Sequence, residues 1–329
     1  MERKKYPVLV TIQCTVYNHE PYLRKCLDGF VMQQTTFPFE AIVHDDASTD
    51  GSADVIREYA EKYPDIIKPI YETENQFKKN KIGKIMNQAV HPDAKYLAFC
   101  DGDDYWTDPN KLQMQVDIME ADEEVGLVHS TAKVFDQHRG EFLKKLWGNP
   151  CQSFEDELIV NRIITLTTCL RRDVFSSYLK FIYANINNHK PWKMGDYPKW
   201  LYMCYYSKTY FIEKPTGVYR VLQKSASHDP DIQKMADFEI SAFDVKEFFA
   251  RQFHHEHMLK DLATNLVYKL QDMSLREDKS IDYDIKAISR EYGLDHRNRL
   301  LFMHYILKND CLRRVYLRYL KFRMGAKNE

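Results

Sequence analysis

The sequence predicts an α/β fold, a largely parallel sheet flanked by helices, followed by an all-helical C-terminal region. Three observations point there. Short apolar runs alternate with amphipathic stretches through the first half of the chain, which is the pattern of strand–helix units in a parallel sheet. Polar, acid-rich clusters stand where several of those runs end. From about Asp231 onward the apolar residues take up helical spacing.

Residues 8–16 read as a first buried strand, and residues 21–33 as a helix with Pro21 in its first turn, where a missing N–H costs little. Residues 39–44 form the second strand and run into HDDASTDGS. A helix over 52–63 is stopped by Pro64, and a third strand covers 66–71. A short helix over 82–90 ends at HPD, and the fourth strand is 96–100. Residues 109–121 are helical, with Leu112, Val116 and Met119 on one face. Further on, 126–135 and 163–170 look like strands, 171–183 and 197–207 like helices, and 217–222 like a short strand. Met235, Phe238, Phe249, Phe253, Leu259, Leu262, Leu266 and Leu270 then keep roughly helical spacing until SLREDKS breaks the run. An α/β domain over 1–230 and a helical region over 231–329 are therefore expected.

The formal net charge of −1 excludes a global pull toward nucleic acid. Seven scattered cysteines form no CxxC pair and read as reduced, buried thiols. MERKKYPVLV has too short an apolar run for a secretory signal. No stretch approaches the roughly 18 uncharged apolar residues of a membrane span. A cytoplasmic protein is expected, touching a membrane only at its inner face.

In parallel sheets ligands bind beyond the carboxyl ends of the strands, near the point where strand order reverses. Three polar segments fall at such ends: TVYNHE, HDDASTDG and CDGDDYW. Clustered Asp side chains favour a hard divalent cation, Mg²⁺ or Mn²⁺, which takes one or two carboxylates and completes its shell with phosphates and water. Within Asp101-x-Asp103 one side chain can hold a ribose hydroxyl and the other the metal. A solvated loop with Asp103 or Asp104 capping the next helix would use the same residues. Asp45 or Asp46 can accept a hydrogen bond from a base N–H, whereas Ser48, Asp50 and Ser52 suit turns and caps. Thr15, Tyr17 and Asn18 can present a hydroxyl, an aromatic edge and backbone to the base, or simply turn the chain.

Taken together, CTVYNHEPYLRKCLDGFVMQQ, VHDDASTDGSADVI and YLAFCDGDDYWTDPNKLQMQVD resemble the opening strand and helix, the DDGSxDG segment and the DxD region of family 2 glycosyltransferases. The resemblance runs from about Pro7 to Ser227 and keeps the order of the motifs. It implies a GT-A fold, Rossmann-like, with 1–230 as the catalytic domain. It also implies a nucleoside-diphosphate sugar donor, usually UDP-linked, a divalent metal, Mn²⁺ or Mg²⁺, and a saccharide or lipid-linked acceptor in bacterial surface polysaccharide synthesis. By the same resemblance Asp46 or Asp45 binds the base, Asp101 contacts the ribose and Asp103 ligates the metal. The family's ED-like pair, whose Asp is the catalytic base, reads Gly195-Asp196 here, so Asp196 is the base candidate; it is equally placed to cap the helix that GDYPKW opens. Arg220 in VYR, with Lys224, Ser225, Ser227 and His228, is expected near the diphosphate, Arg offering a planar fork suited to phosphate.

Three departures stand out. Ala47 replaces the usual glycine of the DDGS turn, and His44 precedes the acid pair where an apolar residue is usual. The family's Arg before an Asn is missing, and KIGKIMNQAV offers Lys81 or Lys84 near Asn87 in its place. Of the remaining features, HHEH at 254–257 reads as a solvated helix face, and Trp106 as a lid or packing residue. Trp192 and Trp200 suit either acceptor stacking or core packing. The stretch 297–327 carries nine Lys or Arg against one Asp among apolar residues. Such helices lie on anionic membranes, pack with a basic outer face, or form a homodimer contact. Two other classes remain: a nucleotide-sugar-binding or scaffold protein without turnover, and a nucleotidyltransferase. The second would normally show a Gly-rich, basic phosphate loop after strand one, which TVYNHEPYL is not.

Overall fold

VTIQCTV is apolar enough to be buried along nearly its whole length, as a strand must be when helices cover both faces of a parallel sheet. The computed structural model describes residues 7–185, 191–222, 229–294 and 297–325. The chain divides into two compact units, 1–184 with 199–221 and 185–198 with 222–329.

The first unit opens with β1 (Val10–Val16), α1 (Glu20–Val31), β2 (Phe39–Asp45), α2 (Ser52–Lys62), β3 (Ile67–Tyr71), α3 (Ile82–Ala89) and β4 (Tyr96–Phe99). It continues through β5 (Tyr105–Trp106), α4 (Lys111–Ala121), β6 (Val125–Asp136), β7 (Glu141–Phe142), α5 (Phe154–Ile159), β8 (Cys169–Arg171) and α6 (Arg172–Ala184). The helix α7 (Tyr197–Tyr206) leads into β9 (Lys208–Val221). Among the described residues nine strands form one sheet, ordered β3-β2-β1-β4-β8-β6-β9-β5, with β7 paired to β6. β1 runs parallel to both β2 and β4, and β2 parallel to β3. β8 is antiparallel to β4 and to β6. From β1 the chain builds outward through β2 and β3, then returns to place β4 on the other side. The strand order therefore reverses between β1 and β4, and in such sheets ligands bind beyond the carboxyl ends of the strands at that point.

Helix α1 buries Leu23, Leu27 and Phe30 against the sheet, each contributing about 1.5–3 kcal/mol. Six cysteines are buried and Cys311 is exposed, and all are free thiols. The expected strand over 163–170 is instead a turn of 3₁₀ helix over Thr165–Thr167 followed by the short β8. The short strand expected at 217–222 is the end of a fourteen-residue strand, β9, whose pairing to β6 carries register shifts. A bulged strand loses the strict alternation by which it would be read.

His129, on β6, is fully buried beside Phe211, with ring centroids 5.1 Å apart. Neither ring nitrogen has a hydrogen-bond partner among the described residues. Burial pushes the imidazole down to about 4 from 6.5. Protonation therefore favours the unfolded chain, and stability is lost as pH falls from about 6.5 toward 4. Between about pH 7 and about pH 5 the protein should lose about 2 kcal/mol more than His129→Phe, measured by urea unfolding. Equal losses in both proteins would show that this ring does not carry the acid sensitivity.

The second unit contains α8 (Ile232–Gln252), α9 (Leu259–Glu277), α10 (Ile285–Tyr292), α11 (Arg297–Lys308) and α12 (Asp310–Gly325). Asp231 caps α8, its carboxylate accepting the Gln233 N–H at 2.9 Å. The continuous helix expected through 235–270 is broken at Phe253–His255, where His254 has φ 61. HHEH is thus the turn and the 3₁₀ start of α9, with His254 and His257 exposed. Trp192 packs on Phe248 and Phe249.

Candidate active site

The polar ends of β1, β2 and β4 are stitched together by backbone. The Asp46 N–H donates to the Val16 carbonyl at 2.9 Å, and the Gly102 N–H to the Thr15 carbonyl at 2.9 Å. This fixes Thr15, Asp45, Asp46 and Asp101 on one edge of the sheet, on both sides of the strand-order reversal. Thr15 Oγ1 donates directly to Asp101 Oδ1 across it.

The first and second loops are further locked by side chains. Asn18, at φ 57, accepts the Thr49 N–H on Oδ1 at 2.7 Å and donates its own N–H to Ser48 Oγ at 2.9 Å. The His19 N–H donates to Ser52 Oγ at 2.9 Å, and Asp50 accepts from the Ser52 and Glu20 N–H groups at 3.0 and 3.1 Å. Ala47 has φ 59. It stands in the left-handed region, where a Cβ costs roughly 1–2 kcal/mol and a glycine would not.

The two acids at the end of β2 separate cleanly. The Asp46 carboxylate accepts the Gln76 N–H at 2.5 Å and the Phe77 N–H at 3.1 Å. Asp45 is 3% exposed, and its Oδ1 has no hydrogen-bond partner among the described residues. A buried acceptor without a donor costs about 1–3 kcal/mol, so Asp45 Oδ1 is the oxygen of this pair left wanting a donor. Burial, and to a lesser extent the Asp45 charge, raise the nearby Tyr71 hydroxyl. Tyr17 is exposed.

In the acidic loop, desolvation by the surrounding side chains and then the charge of Asp103 raise the Asp101 carboxyl above its usual range, although the residue is exposed. Burial and Asp103 push Asp104 well above that range. Gly102 between them fits because a Cβ there would lie 2.9 Å from both His19 Nδ1 and Val16 Cγ2. Asp104 has its own donor, the Arg220 N–H at 2.7 Å. Arg220 is buried; its Nε donates to the Asp103 carbonyl at 2.8 Å and its Nη1 to Gln137 Oε1 at 2.6 Å. Tyr22 and Tyr105 lie 4.7 and 5.5 Å from its guanidinium. This side chain, expected at a diphosphate, clamps the acidic loop from within the protein. Lys224, Ser225, Ser227 and His228 lie outside the described residues.

Trp106 is a packing residue. It is buried edge-on to Phe30 at 5.0 Å, and its Nε1 donates to the Leu166 carbonyl at 2.7 Å. Fully buried Lys111 places its Nζ 4.1 Å from that ring and 2.7 Å from Gln115 Oε1; burial holds its ammonium down to about 8. Trp200 is core, packed on Phe99 at 6.2 Å. Lys84 is exposed on α3.

Two basic side chains that the motifs did not single out face this loop. His19 and Lys199 both lower the Asp101 carboxyl by their charge, in that order. Lys199 also lies over the Phe99 ring at 4.5 Å. Its place one turn into α7 was the available signal. In the second unit Asp196 precedes α7, and its Oδ1 accepts the Tyr197 N–H at 2.9 Å.

Among the described residues no three or more His, Cys, Asp or Glu side chains form a protein-only metal site. A Mg²⁺-type ion does not need one, because it takes one or two carboxylates and substrate phosphates. Crowded carboxylates fit such an ion, and Asp101 and Asp103 are the pair not held by a backbone N–H among the described residues.

The model for "Glycosyl transferase family 2" matches residues 11–210. Over 100 residues the chain is 47% identical to an uncharacterised protein of Mycobacterium bovis, a stretch covering 30% of this chain and 28% of that relative. It is 32% identical over 111 residues to the putative teichuronic acid biosynthesis glycosyltransferase TuaG of Bacillus subtilis, covering 34% of this chain and 42% of TuaG. Two solved structures share its fold at 16% identity. One is S. aureus TarS 1–349 in complex with UDP-GlcNAc, with TM-score 0.55, covering 94% of this chain and 92% of TarS 1–349. The other is the mannosyltransferase PcManGT from Pyrobaculum calidifontis in complex with GDP-Man and Mn²⁺, with TM-score 0.51, covering 96% of this chain and 88% of that one. The fold is GT-A-like, a mixed sheet flanked by helices with helices α8–α12 following. Because the family model runs through more than half of the 329 residues and takes in every strand whose end builds the acidic edge, the chain belongs to glycosyl transferase family 2.

Proposed function

We propose that this chain moves a sugar, with inversion, from a nucleoside-diphosphate donor, UDP-linked, to a hydroxyl of a saccharide or lipid-linked acceptor in cell-surface polysaccharide synthesis. The observation that carries the reading is the buried Oδ1 of Asp45, left without a donor among the described residues, on the same sheet edge as Asp101 and Asp103, in a chain of this family. TuaG, similar to part of the chain, supports the polymer class by its name.

Asp45 accepts an N–H of the base, and Tyr17 lies against it. Asp101, oriented by the Thr15 hydroxyl, accepts a ribose hydroxyl. Asp46 and Asn18 hold the two loops in register rather than touching the donor. Asp103 would ligate Mn²⁺ or Mg²⁺, with Asp101 beside it. When bound, such an ion offsets the charge of the departing diphosphate. Arg220 positions the acidic loop for it, and Lys84 and Lys199 add positive potential. Asp196 takes the proton of the acceptor hydroxyl as that oxygen attacks the anomeric carbon. The bond from that carbon to the diphosphate breaks, and the nucleoside diphosphate leaves with the electron pair. The 1–230 segment is the catalytic domain, working on the cytoplasmic side.

A panel of nucleotide sugars, assayed for nucleoside-diphosphate release with and without Mn²⁺, tests this. UDP release that rises with Mn²⁺ and with acceptor is expected. Nucleotide binding by calorimetry without release from any donor would leave a binding protein and overturn the reading.

A further inference from the structure

We infer that the outer faces of α11 and α12 form a docking surface for an anionic lipid bilayer. On α11, Arg299, Phe302, Tyr305 and Lys308 follow at three-residue steps, and all are exposed; Phe302 is 65% and Tyr305 63% exposed. On α12, Leu312, Val315 and Tyr319 fall at i, i+3 and i+7, one stripe of a helix. They are 38, 58 and 50% exposed. Exposed Arg318, three residues after Val315, borders that stripe, and exposed Arg314 lies one turn before Arg318 on the neighbouring face. The inner side of α12 is occupied differently. Arg313 is buried, bonded to Asp278 and Asp310 at 2.9 and 2.7 Å. The helix is therefore seated by one arginine and leaves its apolar stripe and two others outside.

Of the four exposed cations on these helices among the described residues, two are paired and two are not. Lys308 is paired with Asp282 at 2.5 Å, and Arg314 reaches Asp278 only at 3.8 Å. Arg299 and Arg318 have no carboxylate at ion-pair distance among the described residues. Aliphatic and aromatic residues between unpaired arginines match an interface whose surface is anionic and whose depth is apolar. A second copy fits worse, because a two-fold contact would set these arginines against their own images. A soluble polyanion would use the arginines and leave the apolar stripe in water. No helix among the described residues is long and apolar enough to cross a membrane, so the contact lies on the surface. Tyr305 and Lys308 also line a cavity of about 300 Å³ with Tyr283, Ile285, Leu301 and His304, where Asp284 and Lys286 supply one charge of each sign; this gives the face a recess.

The test is sedimentation of the full chain with vesicles of phosphatidylcholine alone and with about a third phosphatidylglycerol, at low and high salt. Binding to the anionic vesicles only, weakened by salt, is expected. Arg314→Ala with Arg318→Ala should lower partitioning about thirtyfold, and Phe302→Ser with Tyr305→Ser about tenfold or more. All four positions are exposed, so far-ultraviolet circular dichroism and nucleotide release should match the parent, separating lost docking from lost catalysis. Three outcomes overturn the inference. One is no binding to anionic vesicles at low salt. Another is a loss with the arginine pair but none with the aromatic pair, which marks a soluble polyanion as the ligand. The last is a vesicle-independent dimer abolished by the same variants, which marks a second copy.

Discussion

Asp196→Asn is expected to abolish sugar transfer while leaving the donor bound. The side chain has two roles available, and they predict different things. As the group preceding α7 it accepts the Tyr197 N–H at 2.9 Å. Asn preserves that acceptor and is as good as Asp at helix N-termini, so the fold should be intact. As a general base it must carry a charge that Asn lacks. Loss of a positioned base costs typically 10²–10⁴-fold, so the transfer rate should fall by that order while the dissociation constant of the nucleotide changes little. Asp196→Ala should lose transfer to the same extent and add about 0.5–2 kcal/mol of destabilisation from the lost helix-start contact. Retained transfer in Asp196→Asn would reduce this residue to its structural role and require another base.

Asp103→Ala should remove the dependence on metal. At present Asp103 raises both Asp101 and Asp104 by its charge. Removing it relieves that repulsion, so the metal-free variant should unfold no earlier than the parent. The parent should gain stability on adding Mn²⁺ with nucleotide, because a ligand that binds only the folded state shifts the unfolding equilibrium by mass action. The variant should not. Turnover should fall on the order of 10²–10³-fold, reflecting the several kcal/mol of charge stabilisation a bound cation supplies. Thermal unfolding with and without Mn²⁺ and nucleotide, alongside release assays, separates these effects. A variant still stabilised by the added metal would place the ligand elsewhere, with Asp101 as the next candidate.

Most of the first half of the fold was legible because its units are local. The runs ending at Val16, Asp45 and Phe99 became β1, β2 and β4 within a residue or two. The second half was harder. β9 is bulged against β6, and β5 and β7 are two-residue strands with no period to read. The α8–α9 run looked continuous because its apolar spacing carries through the turn, whereas His254 in the left-handed region breaks it.

For the site, residue types and motif order were enough to name the acids and the chemistry they suit, because a carboxylate cluster at a strand end is written in consecutive letters. Their division of labour was not written there. Asp45 and Asp46 are neighbours in sequence, yet the donors that occupy Asp46 come from Gln76 and Phe77, thirty residues on. Likewise VYR marks Arg220, but the contacts that turn it inward are to Asp103, Asp104 and Gln137. Sequence by itself determined which groups could carry charge and where strands would end, since both follow from local side-chain chemistry. Only the tertiary structure decided which of those groups were already satisfied by distant backbone and which were left open, because a hydrogen bond is won by whichever donor the fold brings within 3 Å.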